Sequence, residues 1–161
     1  MVWQFFATNL RLLAKDLNFN RSPCVDEHDM LSLPGMPITY QIDPSRKLIH
    51  TRCIGDVTPE EIAEHFRELE EDPARPDRLN VLLDLTEETS LPKTQDLREV
   101  SYQLNKLLRS VRFGACAIVA CDEALFGMMR MFGVITAEYF DVTQVFKAIT
   151  DAEAWLATVA T

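Results

Sequence analysis

The sequence predicts an α/β domain in which a mixed, mostly parallel sheet of about five strands is surrounded by about four helices, in the order ββαβαβαβα. Three observations lead to this class. Two strand-like segments flank a turn at residues 43–46, which is typical of a hairpin. Runs of consecutive apolar residues then alternate with segments of helical period, as in parallel sheets covered on both faces. The length of 161 residues suits one such domain.

The first 35 residues differ in composition from the rest. Apolar residues recur at roughly helical spacing from Val2 to Leu17, and a segment with prolines and no clear period follows. We interpret residues 1–35 as an N-terminal extension and residues 36–161 as the domain. The extension either belongs to the natural protein or lies upstream of a natural start at Met36, and we expect the domain to fold without it.

The hairpin and the first helix have clear boundaries. The strand ITYQID (residues 38–43) alternates apolar and polar residues, and KLIHTRCI (residues 47–54) follows the turn DPSR as its partner. A helix then begins with Thr58 as N-cap, Pro59 in the first helical position and Glu61 completing a capping box. His65 lies among acidic residues of this helix, which predicts a surface position.

Strands and helices alternate through the remainder of the chain. The apolar runs LNVLLDL (residues 79–85) and ACAIVAC (residues 115–121) predict buried strands, each followed by a helix, the second of which should end near Tyr139. The strand TQVFKAI (residues 143–149) and a last helix close the chain, with Thr150 and Glu153 as a second capping box.

Charge and cysteine usage exclude several classes of protein. The net charge of −9 argues against nucleic acid or an anionic membrane surface as the main partner. The four cysteines form no CxxC pair, which favours a reducing, cytoplasmic location. No apolar run approaches the ~20 residues that a transmembrane helix needs, and the N-terminus lacks the features of a signal peptide.

Five segments carry a resemblance to a known family: YQID, IHTRCIGDVTPEEI, VLLDLTE, GACAIVACDEALFGMMRMF and VFKAITDAEAWL. In their order and spacing they resemble the SpoIIAA-like branch of the STAS domains, also described as STAS/SEC14-like, from about Pro37 to Leu156. The resemblance implies a mixed sheet of about five strands with helices packed around it. It also implies a small binding or regulatory module, as most family members are, and many members of this branch have no assigned activity.

The resemblance does not carry over the phosphorylation switch of STAS anti-sigma-factor antagonists. In those proteins a strand ending Asp-Leu-Ser leads to Asp-Ser-Ser-Gly at a helix start, and the first of those serines is phosphorylated. Counting from Asp84, this chain has Lys93 at the serine position and Gln95 at the glycine position. A phosphate on Thr94 would still suit a helix N-terminus, but a hydroxyl there is also typical of an N-cap.

The carboxyl ends of the predicted strands are the first candidate site, because open α/β sheets bind ligands there. Asp84 either accepts hydrogen bonds from amides of the following loop or takes part in catalysis. The polar or flexible residues at these ends are Gly55, Asp56, Thr86, Glu87, Cys121 and Asp122.

The third helix is the second candidate, because it carries more apolar side chains than one sheet face can cover. We expect its face of Met128, Met129 and Phe132 to contribute to a ligand pocket or a dimer contact, with Met131 in the surplus apolar surface and Arg130 at the rim. Residues 58–72 hold seven acids, whereas residues 93–112 hold five basic residues, so two copies could also dock through these faces in a homodimer.

No catalytic motif emerges from the sequence, and the spacings of His50 with Cys53 and of Cys116 with Cys121 do not suit one metal ion on a regular strand. We therefore favour a non-enzymatic STAS-like regulatory or binding module, without metal or cofactor, that binds a partner protein or a small apolar ligand. The alternative is an enzyme of unknown reaction at the strand ends around Asp84, Thr86 and Cys121. The candidate binding residues are Gly55, Asp84, Thr86, Thr94, Cys121, Asp122, Met128, Arg130 and Met131.

Overall fold

A computed structural model describes residues 36–108 and 110–159, so the predictions for residues 1–35 lie outside the described residues. The elements are β1 (Ile38–Asp43), β2 (Leu48–Gly55), α1 (Pro59–Glu71), β3 (Arg78–Glu88), α2 (Thr94–Leu107), β4 (Arg112–Val119), α3 (Glu123–Ile135), β5 (Val142–Phe146) and α4 (Ile149–Val159). The predicted order and the mixed five-stranded sheet are confirmed.

The strands follow one another across the sheet in the order β1-β2-β3-β4-β5. β1 pairs with β2 in the antiparallel direction, and all later neighbours are parallel. Right-handed crossovers between consecutive parallel neighbours place their helices on one and the same face. Accordingly α1, α2 and α3 pack on one face of the sheet, and α4 packs on the other.

The start of α1 is formed as predicted. Thr58 Oγ1 accepts a hydrogen bond from the Glu61 amide at 3.3 Å, and the Glu61 carboxylate accepts one from the Thr58 amide at 2.8 Å. Pro59 occupies the first helical position, where its missing N–H costs no hydrogen bond. This capping box is confirmed.

Two other predicted caps are wrong. α4 begins at Ile149, so Thr150 is already inside the helix and does not cap it. α2 begins at Thr94, so its N-cap is Lys93 and the Thr94 hydroxyl is not used as a cap. The Asp96 carboxylate instead accepts a hydrogen bond from the Lys93 amide at 2.7 Å.

Several element ends differ from the prediction: β4 spans Arg112–Val119 rather than residues 115–121, and β5 ends at Phe146 rather than at Ile149. α3 ends at Ile135 rather than near Tyr139, and its C-cap, the fully buried Thr136, donates a hydrogen bond from its hydroxyl to the Phe132 carbonyl oxygen at 2.9 Å. β3 continues to Glu88, because its polar end still pairs with β2. Asp84 therefore lies inside a strand and not at its end.

Within residues 36–108 and 110–159, none of the helices combines the length and the apolar character that a membrane span requires.

Candidate functional site: a pocket between the sheet and three helices

The interior of the domain is unevenly filled on the two faces of its central strand. Leu82 faces α4 and is 1% exposed. Its neighbours Val81 and Leu83 face α1, α2 and α3, yet both keep partial exposure. Side chains of a central strand under helices are normally enclosed, because protein interiors are close-packed. The space between the sheet and α1–α3 is therefore open.

This space is a pocket with a volume of about 170 Å³. Its walls come from β1 to β4 on one side and from α1, α2 and α3 on the other, and most of the lining side chains are apolar. The polar lining residues are Thr51, His65, Glu88, Ser90 and Asp96. A dry apolar cavity of about 150 Å³ is large enough for benzene. The pocket can therefore hold a small organic molecule.

His65 is the buried polar residue of α1 in this pocket, and its predicted surface position is wrong. It is 7% exposed, and its Nε2 lies 3.4 Å from Thr51 Oγ1. Burial lowers the pKa of His65 to about 4, so the ring is neutral at physiological pH. The sequence did carry a signal: His65 follows Ile62 by three positions and precedes Leu69 by four, which places it on the apolar stripe.

The pocket also contains two thiols, neither of which is poised for nucleophilic chemistry. Cys53 and Cys116 are buried and line the pocket. Burial raises the pKa of each thiol to about 12, with the nearby carboxylates of Glu88 and Asp84 adding to the effect at Cys53. Both thiols stay protonated at neutral pH and act as small apolar groups.

Two carboxylates line the pocket near the carboxyl end of β3 and the start of α2. Glu88 and Asp96 are partly exposed there. The Glu88 carboxylate accepts hydrogen bonds from the amide and the hydroxyl of Ser90, and the Asp96 carboxylate accepts one from the Lys93 amide. These groups hold the β3–α2 loop and give this end of the pocket a negative character.

Asp84, the central candidate from the sequence, lies on the other face of the sheet. Its Oδ1 accepts hydrogen bonds from the Thr86 amide at 2.9 Å and the Thr86 hydroxyl at 2.7 Å. His50 Nε2 lies 3.9 Å from its Oδ2, a distance too long for a hydrogen bond, and the two groups form a charge pair only when the ring is protonated. Burial alone would raise the pKa of Asp84, but His50 and Thr86 outweigh burial and lower it. The carboxylate is thus ionised and already held by its neighbours.

The other strand-end candidates are dispersed around the edge of the sheet. Cys121 is exposed, and its thiol donates to the Lys147 carbonyl oxygen at 3.4 Å. Asp122 is the N-cap of α3, where its Oδ1 accepts the Leu125 amide at 2.9 Å. Gly55 has a φ of +77°, a conformation that favours glycine.

On α3 the two sides of the helix differ. Met129 and Phe132 line the pocket. Met128 and Met131 are partly buried against the core, and Arg130 is exposed. The pocket lining includes none of the nine candidate residues, so their part in binding a ligand or partner stays a prediction.

Metal binding has no support in the described part of the chain, where no three histidine, cysteine or acidic side chains converge.

Comparison with known proteins relates the chain to one family. The sequence model of the family described as SpoIIAA-like matches residues 48–157, from β2 to the last turns of α4. A search of curated proteins finds no match. Members of this STAS group are typically regulatory or binding modules. The matched residues cover most of the chain, and they include the sheet from β2 onward and all four helices. The chain therefore belongs to the SpoIIAA-like family.

Proposed function

We propose that this domain is a cytoplasmic, non-enzymatic binding module that takes a small, largely apolar ligand into the pocket between the sheet and α1–α3. The observation that carries this proposal is the partial exposure of Val81 and Leu83 on the central strand. These side chains belong to the core by position, but part of their apolar surface has no protein neighbour.

The energetic cost of the open space supports a ligand. The apolar walls of the open space contact solvent instead of other side chains, and burying apolar surface is favourable by about 25 cal/mol per Å². A molecule that fills the space and is absent from the unfolded chain would recover part of this free energy and stabilise the fold.

The chemistry of the pocket favours binding over catalysis. Its two thiols are protonated, its histidine is neutral and its carboxylates hold a loop. The alternative enzyme around Asp84, Thr86 and Cys121 has less support, because the Asp84 carboxylate is occupied by Thr86 and the Cys121 thiol points to the Lys147 carbonyl oxygen.

Native mass spectrometry of the purified full-length chain tests for a retained ligand, and titration with toluene tests the pocket directly. We expect toluene to shift the amide NMR signals of residues around Val81 and Leu83 and to raise the melting temperature. Val100→Trp should fill the pocket and abolish both effects, because Val100 lines it from α2. Val134→Trp is the matched control, because Val134 is 77% exposed on α3.

The proposal fails if the wild-type chain carries no bound small molecule and toluene neither shifts pocket signals nor changes the melting temperature. In that event binding of a partner protein, the other open alternative, becomes the better interpretation.

A further inference from the structure

We propose that the ligand of this pocket is an organic cation, an amine with an apolar body, whose protonated nitrogen lies at the end of the pocket that Glu88 and Asp96 line. The inference rests on the proposed function and specifies the chemistry of the ligand. The described walls of the pocket carry charge near one end, and that charge is negative.

The balance of charge among the lining residues is one-sided. Among the described residues that line the pocket, Glu88 and Asp96 are acidic, and none is a lysine or an arginine. His65 does not compensate for them, because burial lowers its pKa to about 4 and leaves the ring neutral. Negative charge beside apolar walls attracts a cation and repels an anion.

The strand register places Glu88 on the side of the sheet that lines the pocket. Glu88 pairs with Gly55 of β2, two residues after Cys53, which lines the pocket. Residues two positions apart on a strand share one face of the sheet, and so do paired residues on neighbouring strands. The charge of Glu88 also acts on Cys53, since the pKa of that thiol is raised first by burial and next by this carboxylate.

The helical period places Asp96 on the side of α2 that lines the same pocket. Val100 and Leu104 follow Asp96 at steps of four residues, and all three line the pocket. Residues at this spacing lie on one face of a helix. Because α2 begins where the loop after β3 ends, Asp96 and Glu88 lie at the same end of the pocket.

The rest of the pocket suits an apolar body. Phe113 and Phe140 line it near the beginning of β4, with their ring centroids 5.2 Å apart. Since β4 runs parallel to β3, its beginning lies at the opposite end of the sheet from the end of β3. Apolar walls do not suit a metal ion, which prefers several oxygen ligands. An organic ammonium ion matches both ends.

Helix N-termini at the acidic end would by themselves favour an anion, because the helix dipole places partial positive charge there. The first turns of the two helices that begin at this end already carry acids of the chain, Glu60 and Glu61 in α1 and Asp96 in α2. The nearby Lys93 is exposed and does not belong to the pocket lining. The acids therefore outweigh the helix dipoles at this end.

The test compares benzylamine, benzyl alcohol and benzoate on the full-length chain, with dissociation constants from NMR titration at neutral pH. The probes share one aromatic ring and nearly equal size, and they are a cation, a neutral molecule and an anion. Val100→Trp, which fills the pocket, should abolish the binding of benzylamine. This loss would show that the amine does not simply bind to the acidic surface.

Glu88→Gln combined with Asp96→Asn removes both negative charges and keeps an oxygen acceptor in place of each carboxylate. The matched control is Glu99→Gln combined with Glu153→Gln, which changes the net charge equally at two exposed residues outside the pocket lining. Each variant is first checked by thermal melting, and Glu88→Gln alone replaces the first double variant if the latter does not fold.

Two partly exposed charge contacts together change affinity by about five- to thirtyfold. We expect benzylamine to bind the wild-type chain more tightly than benzyl alcohol by about this factor at low salt, and benzoate to bind most weakly. The ratio of amine affinity to alcohol affinity should fall at least about threefold in the variant without the two acids and stay within about twofold in the control. Raising the ionic strength from about 0.01 M to about 1 M should also lower the ratio, because the Debye length falls from about 30 Å to about 3 Å.

Equal binding of benzylamine and benzyl alcohol by the wild-type chain would overturn the preference for a cation and leave the apolar pocket intact as a binding site. Tighter binding of benzoate than of benzyl alcohol would do the same. An equal fall of the ratio in the control, or benzylamine binding that survives Val100→Trp, would refute the role of Glu88 and Asp96. Absence of binding by all three probes would reject the proposed function itself.

Discussion

Acidification should destabilise this domain through a single buried histidine. Burial in the pocket lowers the pKa of His65 from its ordinary 6.5 to about 4. The unfolded chain therefore takes up a proton at about pH 6.5, whereas the folded domain resists it until about pH 4. Between these values the unfolded state binds more protons, so the free energy of unfolding falls as the pH falls.

The magnitude follows from the difference of about 2.5 pKa units, each equivalent to about 1.36 kcal/mol. The free energy of unfolding should therefore fall by about 3 kcal/mol between neutral pH and about pH 4. None of this loss occurs well above the pKa that His65 has in the unfolded chain. Because His65 is almost completely enclosed, this value needs no large correction for solvent.

Urea unfolding at several pH values between about 7 and 4 measures the effect, with His65→Gln as the non-titrating control. As the pH falls from about 6.5 to about 4, the free energy of unfolding should decrease more in the wild type than in His65→Gln. The other titrating groups are common to both proteins and cancel in the comparison. Asp43 and Asp84, whose pKa values are lowered, affect stability mainly below their ordinary value of 3.8. Parallel curves for wild type and variant across the window would show that His65 is not held neutral by the fold.

Three further outcomes are expected. Gly114→Ala should lower the free energy of unfolding by about 1–3 kcal/mol, because a Cβ there would lie 2.3 Å from Asn80 Oδ1. In Gly127→Ala, on α3, the added Cβ meets nothing within 4 Å, and the free energy of unfolding should rise by about 0.8–1 kcal/mol. Denaturant titration measures both changes, and equal effects would contradict the packing argument. A chain starting at Met36 should fold and melt within a few degrees of the full chain, and insolubility would make the extension part of the fold. Phosphoproteomics of the native host should find no highly occupied phosphate on Thr94 or its neighbouring hydroxyls, and its detection would refute the absence of a switch.

The parts of the fold that could be predicted are those set by neighbouring residues. The capping box at Thr58 and the existence of a buried strand at the apolar run of β4 depend on a few adjacent side chains; the capping box is formed as expected, and the strand is present but lies at Arg112–Val119 rather than at residues 115–121. The end of β3 was missed because threonine and glutamate residues extend it only by pairing with β2, a contact between distant segments.

The extent of the pocket could not be predicted, although Met129 and Phe132 of the expected α3 face do line it, because its walls and the solid core use the same residue types. Val81 and Leu82 are adjacent aliphatic residues on one strand, yet one faces open space and the other faces α4. Which of them meets a neighbour depends on how far α1, α2 and α3 stand from the sheet, which is a tertiary property. The buried position of His65 could have been predicted, because its place on the apolar stripe of the helix outweighs the charge of its neighbours in the sequence.

The consecutive strand order, which collects α1, α2 and α3 on one side, separates two tasks within the same sheet. On the α4 side, small and branched residues of β3 and β4 close tightly against Ala152 and Leu156. On the opposite side, the walls of the pocket come from the three crossover helices α1, α2 and α3, which all pack against the same face of the sheet. A substitution in one crossover can therefore change the shape of the pocket while the packing against α4 continues to hold the strands in place.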